Sequence, residues 1–285
     1  MNPSEGPVPS TAIKARTEDG TVLPGRLWSA GRPLAAIALV HGLGEHTGRY
    51  AALAGDLARA GYTVAALDWP GHGATLGRRG DVLSWTRLRD GMVSATFAAI
   101  PESPTPLPRI VFGHSMGGLM ALDYALAHPH GIRGVAVSAP ALASAAPPGW
   151  KLALARLARK TAPWIGFGAG VDPSGISQDP EVVRARDADA MVHDKISPRL
   201  YFDLLDARER VLREAPRLAV PALVLQGADD TIADPAGTRR FCSEAAEGRV
   251  TCHVYDGAYH EVLNDIGRER CLADLLAWLS KVVPA

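Results

Sequence analysis

Residues 110–127 read IVFGHSMGGLMALDYALA, and this stretch decides the fold. A short apolar run at 110–112 leads without a break into Gly113-His114-Ser115-Met116-Gly117, and then into a helical segment at 116–127. A serine placed between a strand and a helix stands on a sharp turn. The turn forces a strained backbone and pushes the hydroxyl out over the sheet. Gly113, Gly117 and Gly118 let neighbouring elements approach that turn closely. The helix N-terminus adds free N–H groups and a dipole that favour developing negative charge. G-x-S-x-G alone also describes a glycine-rich turn with a bystander serine; the strand before it and the helix after it point to a nucleophile.

Outward from this turn the same alternation repeats. Ala35–Val40 and 63–67 are continuous apolar runs, as expected for strands buried on both faces. Between them, 48–60 carries helical spacing at Leu53, Leu57 and Ala60 and ends at Gly61, and 84–99 also reads as helix. A further strand is expected at 135–138. Towards the N-terminus, extended pieces at 12–17 and 22–28 flank Glu18-Asp19-Gly20, a hairpin-type turn, and the Pro/Ser-rich residues 1–11 read as disordered. The rhythm stops over 141–215, which shows helical or irregular character and no convincing strand. It resumes after Pro221 with a strand at 222–225, a helix at 235–246, a strand over Val250–Tyr255 and a helix at 265–283. The expectation is one α/β domain, 12–140 with 216–285, built on a mostly parallel sheet with helices on both faces. A helical cap is inserted at 141–215.

Composition narrows the function. The chain has 285 residues, 47% hydrophobic and 21% charged, which suits a soluble globular domain and excludes disorder throughout. Lys plus Arg and Asp plus Glu are 30 each. Zero net charge argues against a nucleic-acid partner bound through a whole-surface positive field. Cys242, Cys252 and Cys271 are too few and too scattered for a disulfide framework, and no C-x-x-C pair suggests zinc. A reducing compartment fits that usage. MNPSEGPVPSTA lacks the basic and apolar regions of a signal peptide, so a cytoplasmic location is expected. No run of about 18 apolar residues suggests a membrane span.

A serine nucleophile needs a histidine base, and the base needs an orienting carboxylate. Two late strands lead into Gln226-Gly227-Ala228-Asp229-Asp230 and Asp256-Gly257-Ala258-Tyr259-His260. Both loops fall at carboxyl ends of strands, where open α/β sheets build their sites. His260 is the expected base. His46, His128, His130 and His193 read as surface or loop residues, and His253 as structural. Asp229 and Asp230 are both open as the acid, with Asp230, three residues after Gly227, favoured. Asp234 reads as the N-cap of a helix opened by Pro235. The oxyanion requires donors. The backbone N–H of Met116 is one candidate, and that of Leu43, in the glycine-rich loop 41–46, is the other.

The blocks HGLGEHTGRY (41–50), DWPGHGATLGRRG (68–80), GHSMGG (113–118), SAP (138–140), QDPEVVRARDADAMVHDKIS (178–197), LQGADDTIAD (225–234) and YDGAYHEVLND (255–265) carry a resemblance. Over about residues 12–281 the chain resembles the monoacylglycerol lipase and lysophospholipase group of α/β-hydrolases. The resemblance implies a serine esterase acting on a small lipid ester, with no metal or cofactor. It assigns the nucleophile to Ser115, the acid to Asp230, the base to His260 and the oxyanion amides to Leu43 and Met116. It puts Glu45, Arg49 and His114 near the glycerol end, with a structural ion pair as the other reading. Just after DPEVV a tyrosine would be expected, and Arg186 stands there. An arginine there suits a phosphate or carboxylate, or it lies on the surface. Lysophospholipids, short-chain esters and acyl transfer are therefore alternatives, and a non-catalytic receptor on the same fold a remote one.

Within the cap, Trp150, Ala153, Leu154, Leu157 and Ala158 recur on one helical face, opposite Lys151, Arg156, Arg159 and Lys160. Such a helix either lies on an anionic membrane surface or packs on the domain with its basic face solvated. Trp164, Ile165 and Phe167 continue the apolar character. With Trp150 and Leu154 they are candidates for the wall or lid of the acyl-chain tunnel that the resemblance implies.

Overall fold

The apolar runs become strands. A computed structural model describes residues 8–18 and 20–284. Its strands are β1 (Thr11–Arg16), β2 (Val22–Trp28), β3 (Ala35–Val40), β4 (Tyr62–Leu67), β5 (Arg109–His114), β6 (Gly134–Ser138), β7 (Phe167–Gly168), β8 (Lys195–Ile196), β9 (Ala222–Gly227) and β10 (Val250–Tyr255). Its α-helices are α1 (Ala51–Arg59), α2 (Trp85–Ala98), α3 (Met116–Ala127), α4 (Gly149–Thr161), α5 (Pro180–Asp187), α6 (Pro198–Glu214), α7 (Pro235–Glu244) and α8 (Arg268–Val282).

Eight strands form one sheet in the order β1-β2-β4-β3-β5-β6-β9-β10. β2 pairs antiparallel with both β1 and β4, and every other pairing in this sheet is parallel. Strand periodicity divides the sheet's two faces. Ala36, Ala38 and Val40 join one apolar core with Met92 of α2, Leu119 of α3 and Leu204 of α6. Ala35, Ile37 and Leu39 join a second with Leu53 and Leu57 of α1 and Leu272 and Leu275 of α8. All residues of β3, β4, β6 and β9 are buried, because helices cover both faces.

Several boundaries differ from expectation. Of the N-terminus read as disordered, residues 1–7 lie outside the described residues, as does Asp19 of the expected turn. β1 already begins at Thr11, and Val8 packs on the second core. The segment between β6 and β9 holds a two-stranded antiparallel ladder, β7 with β8, that sequence reading missed. Strands of two residues are too short to show a period. α6, placed inside the insertion by the sequence, packs on α3 and buries Leu200, Leu204, Ala207 and Val211.

The cysteine reading is corrected. Cys242 of α7 and Cys252 of β10 form a disulfide with Cα atoms 6.5 Å apart, while Cys271 is buried and free. The parallel crossover brings the helix end beside the edge strand, a proximity that spacing alone does not reveal. The expected reducing compartment and cytoplasmic location lose that support. Among the described residues, no helix is long and apolar enough to cross a membrane.

Candidate active site

The carboxyl ends of β3, β5, β9 and β10 share one edge of the sheet, and each expected loop leaves from that edge. Ser115 joins β5 to α3 with φ 54° and ψ −120°. Among the described residues, only Ala139 is a second non-glycine residue with positive φ. Such a backbone costs about 1–3 kcal/mol and persists only where its surroundings fix it. Here the Ser115 amide donates to Ser138 O at 3.0 Å, and its carbonyl accepts from Leu119 and Ala141 at 3.0 Å each. Glycine is required beside it. A Cβ on Gly113 would overlap the Gly117 carbonyl, and one on Gly117 the carbonyls of Val40 and His41.

His260 and Asp230 are both buried and directly bonded, Nδ1–H donating to Oδ2 at 2.8 Å. Gln226 Nε2 donates to the same oxygen at 2.9 Å, and the amides of Ile232 and Ala233 donate to Oδ1 at 2.8 and 2.9 Å. Burial pushes this carboxyl up. The hydrogen bond and charge of His260 and the two amides outweigh it and hold the group below the usual aspartate value. Asp229 is exposed, so the geometry decides between the adjacent aspartates: Asp230 holds His260. Asp234 caps α7, accepting from Ala236 N at 2.8 Å.

Two amides flank the serine. A Cβ on Gly42 would lie 3.2 Å from Ser115 Cβ, so the loop after β3 runs directly against Ser115. The amides of Leu43 and Met116 donate no hydrogen bond among the described residues, which leaves both for a developing oxyanion. The Ser115 hydroxyl is not bonded to His260 here. The His260 ring lies 4.8 Å from that of His114, the residue before the serine. Such bonds are often long in ligand-free sites and tighten with substrate.

Beneath this set lies a buried polar network. Glu45 accepts from Gly42 N and Tyr50 OH at 2.5 Å each, and from Arg49 at 2.9 Å. Arg49 also grips Glu261, at 2.7 and 3.0 Å. Burial pushes the Glu45 carboxyl up, but Arg49 and the nearby imidazoles of His114 and His41 bring it down to about 2. His114, whose Nδ1 pairs with Ser138 Oγ at 2.9 Å, is held below its ordinary value by burial and by His260. Glu45, Arg49 and His114 line a small cavity with Leu53, Leu263 and Asn264, enclosing about 20 Å³, room for a single water. Glu261, Tyr50 and Gln226 were missed by sequence reading. The carboxylate next to His260 and the arginine of GRY were the available signal.

The segment between β6 and β9 reaches this site through backbone contacts. Gly175 O and Ile176 O accept from the amides of His260 and Glu261 at 3.3 and 2.8 Å. The His193 amide donates to Gly44 O at 2.8 Å. His46, read as a surface or loop residue, is buried and meets Asp189 at 2.7 Å, because the segment after α5 closes over it. His128 and His130 are exposed as expected.

The remaining candidates lie differently. Arg186 is partly buried and pairs with the adjacent Asp187 at 3.1 Å. Trp150, Leu154, Trp164, Ile165 and Phe167 are all exposed and belong to neither apolar core, so they form no enclosed tunnel wall. The reason is the rotation of α4. Its half-buried positions Leu152, Ala155 and Ala158 form a stripe on the helix, which packs against α6, and Trp150, Leu154 and Leu157 are left outside.

Comparison with known proteins gives consistent matches. The family model described as "Serine aminopeptidase, S33" matches residues 31–267. A monoacylglycerol lipase of Mycolicibacterium smegmatis is 34% identical over 249 residues, covering 87% of this chain and 88% of its own. Phospholipase YtpA of Bacillus subtilis is 31% identical over 246 residues, covering 85% and 93%. The crystal structure of the Paleococcus ferrophilus monoacylglycerol lipase superposes with a TM-score of 0.82 at 36% identity, covering 90% of this chain and 99% of that one.

Proposed function

The chain belongs to the serine aminopeptidase S33 family, and from that premise we propose that it is a carboxylic ester hydrolase cleaving monoacylglycerols to fatty acid and glycerol through an acyl-enzyme. One observation carries the reading: a buried Asp230–His260 pair shares a sheet edge with a strained serine flanked by two free amides. Ser115 Oγ attacks the ester carbonyl while His260 Nε2 takes its proton. Asp230 holds the imidazole with Nδ1 protonated and stabilises the imidazolium. The N–H groups of Leu43 and Met116 receive the tetrahedral oxyanion. Collapse expels the alcohol, which takes its proton from His260. Water, deprotonated by His260, then releases the fatty acid and restores Ser115.

The exposed apolar side of α4, bearing Trp150, Leu154 and Leu157, would rest on the lipid surface that supplies the ester. Lysophospholipid is the second reading. Arg186, partly buried, stands where the resemblance expects a tyrosine, and a guanidinium there suits a phosphate.

The test is hydrolysis of p-nitrophenyl esters, monoacylglycerols of two to eighteen carbons and lysophosphatidylcholine, with Ser115→Ala in parallel. Wild type alone is expected to turn over, with monoacylglycerols of medium or long chain preferred. Cleavage restricted to acetate and butyrate esters would refute the lipid assignment. Preference for lysophosphatidylcholine, lost in Arg186→Tyr, would favour the second reading.

A further inference from the structure

We propose that Arg49 is a positioning residue: it ties the oxyanion loop to the loop carrying His260 and sets both against the serine. The inference rests on reading Ser115, Asp230 and His260 as the catalytic set.

One guanidinium joins the two loops. Its NH1 donates to Glu45 Oε2 at 2.9 Å and to Glu261 Oε1 at 2.7 Å, and its NH2 donates to Glu261 Oε2 at 3.0 Å. Glu45 passes the restraint to the oxyanion loop, because its other oxygen accepts the Gly42 amide at 2.5 Å. Gly42 directly precedes Leu43, the expected donor. Glu261 passes it to the base, because it directly follows His260 in the chain. Its Oε2 also accepts from Asn264 at 3.0 Å. The three charged side chains are only 6–11% exposed.

Stability alone does not account for this arrangement. A buried ion pair is commonly replaced by apolar residues without loss, since desolvation offsets the Coulombic gain. What apolar residues lack is direction. A planar guanidinium holds two carboxylates at a fixed angle, which an ammonium does not. The carboxylate oxygens of Glu45 and Glu261 that hold the loops are already engaged inside the protein. The resemblance to glycerol-contacting residues therefore describes the place of this group, and its bonds describe a strut. A strut and a substrate contact differ in one measurable respect: only a strut serves esters that lack glycerol.

The experiment compares wild type, Arg49→Lys and Glu261→Gln on a monoacylglycerol and on the p-nitrophenyl ester of the same acyl chain, with thermal melting and fluorophosphonate labelling alongside. Misplacement of the reacting groups by part of an ångström predicts a fall in kcat of about 10- to 100-fold for Arg49→Lys on both esters, with KM within about twofold. Glu261→Gln, which keeps the shape and one acceptor, is expected to show the same pattern at about 3- to 10-fold. It decides the matter if Arg49→Lys does not fold. A loss confined to the monoacylglycerol would overturn the strut in favour of substrate contact. Unchanged kcat on both esters would overturn it outright while wild type remains active. A wild type that cleaves neither ester and resists the fluorophosphonate would overturn the catalytic reading, and the strut with it.

Discussion

Asp230 uses both carboxylate oxygens twice: four donors converge on it, from His260, Gln226, Ile232 and Ala233. A carboxylate held in this way presents Oδ2 to Nδ1–H in one orientation and leaves Nε2 of His260 as the acceptor. Gln226 is fixed in turn, because Thr238 Oγ1 donates to its Oε1 at 2.8 Å. Gln226→Leu removes one charge-assisted hydrogen bond, worth about 1.5 kcal/mol, and so should lower kcat about tenfold with KM little changed. Steady-state kinetics on any accepted ester reads this out, and an unaltered kcat would mean that the two amides suffice. At this scale the legible residues were those with a local signature. Ser115 sits on its turn and His260 follows a late strand. Asp229 and Asp230 differ by one position, so the pattern left both open, and only the course of the loop buries Asp230 and exposes Asp229. Glu261 was illegible because its partner Arg49 is far away in the chain, and Gln226 because its bonds to Asp230 and Thr238 depend on the course of the loop between them.

The central strands were readable because burial on both faces writes a continuous apolar run, as in β3 and β9. Helix α4 was only half readable. Its amphipathic pattern is plain, but which stripe turns inward depends on α6, and a helix pattern contains no information about its neighbour. The structure leaves every residue of α4 short of full burial, with Trp150 at 68% and Leu157 at 60% exposed. Burying a large apolar side chain in an apolar environment is worth about 1.5–3 kcal/mol. Trp150→Ala combined with Leu154→Ala should therefore weaken partitioning onto anionic vesicles at least about tenfold. Hydrolysis of dissolved p-nitrophenyl acetate and the melting temperature should stay unchanged, since neither side chain packs on a core. Sedimentation with vesicles measures the first, and equal partitioning of the two proteins would exclude α4 as the contact.

At the scale of the whole molecule, the segment between β6 and β9 joins a cluster of imidazoles through His193. His41 stacks on Trp69 at 4.8 Å, and His72 lies 4.7 Å from His193, whose amide donates to Gly44 O. Burial pulls down His41 despite the raising effect of Glu45 and Asp68. Burial pulls His72 far down, reinforced by His41, His193 and Arg79. His193 is held at about 4, again by burial first and then by Arg79, with Asp194 opposing. In the unfolded chain each imidazole takes up its proton near 6.5. Between pH 6.5 and about 4 the unfolded state therefore binds more protons than the native one, and stability must fall as pH falls through that window. Carboxylates held low lose their contribution as pH falls through their ordinary values, 4.5 for Glu45 and 3.8 for Asp230, at the acid end of the window and below it. Thermal melting from pH 8 to pH 4.5 should show a flat region above 6.5 and a decline below it. His193→Gln cannot take up the proton in either state, so its decline should be shallower, and the difference between the two curves isolates this residue from every other titrating group. Parallel curves for the two proteins would mean that His193 titrates normally and that its packing against His72 does not resist its protonation.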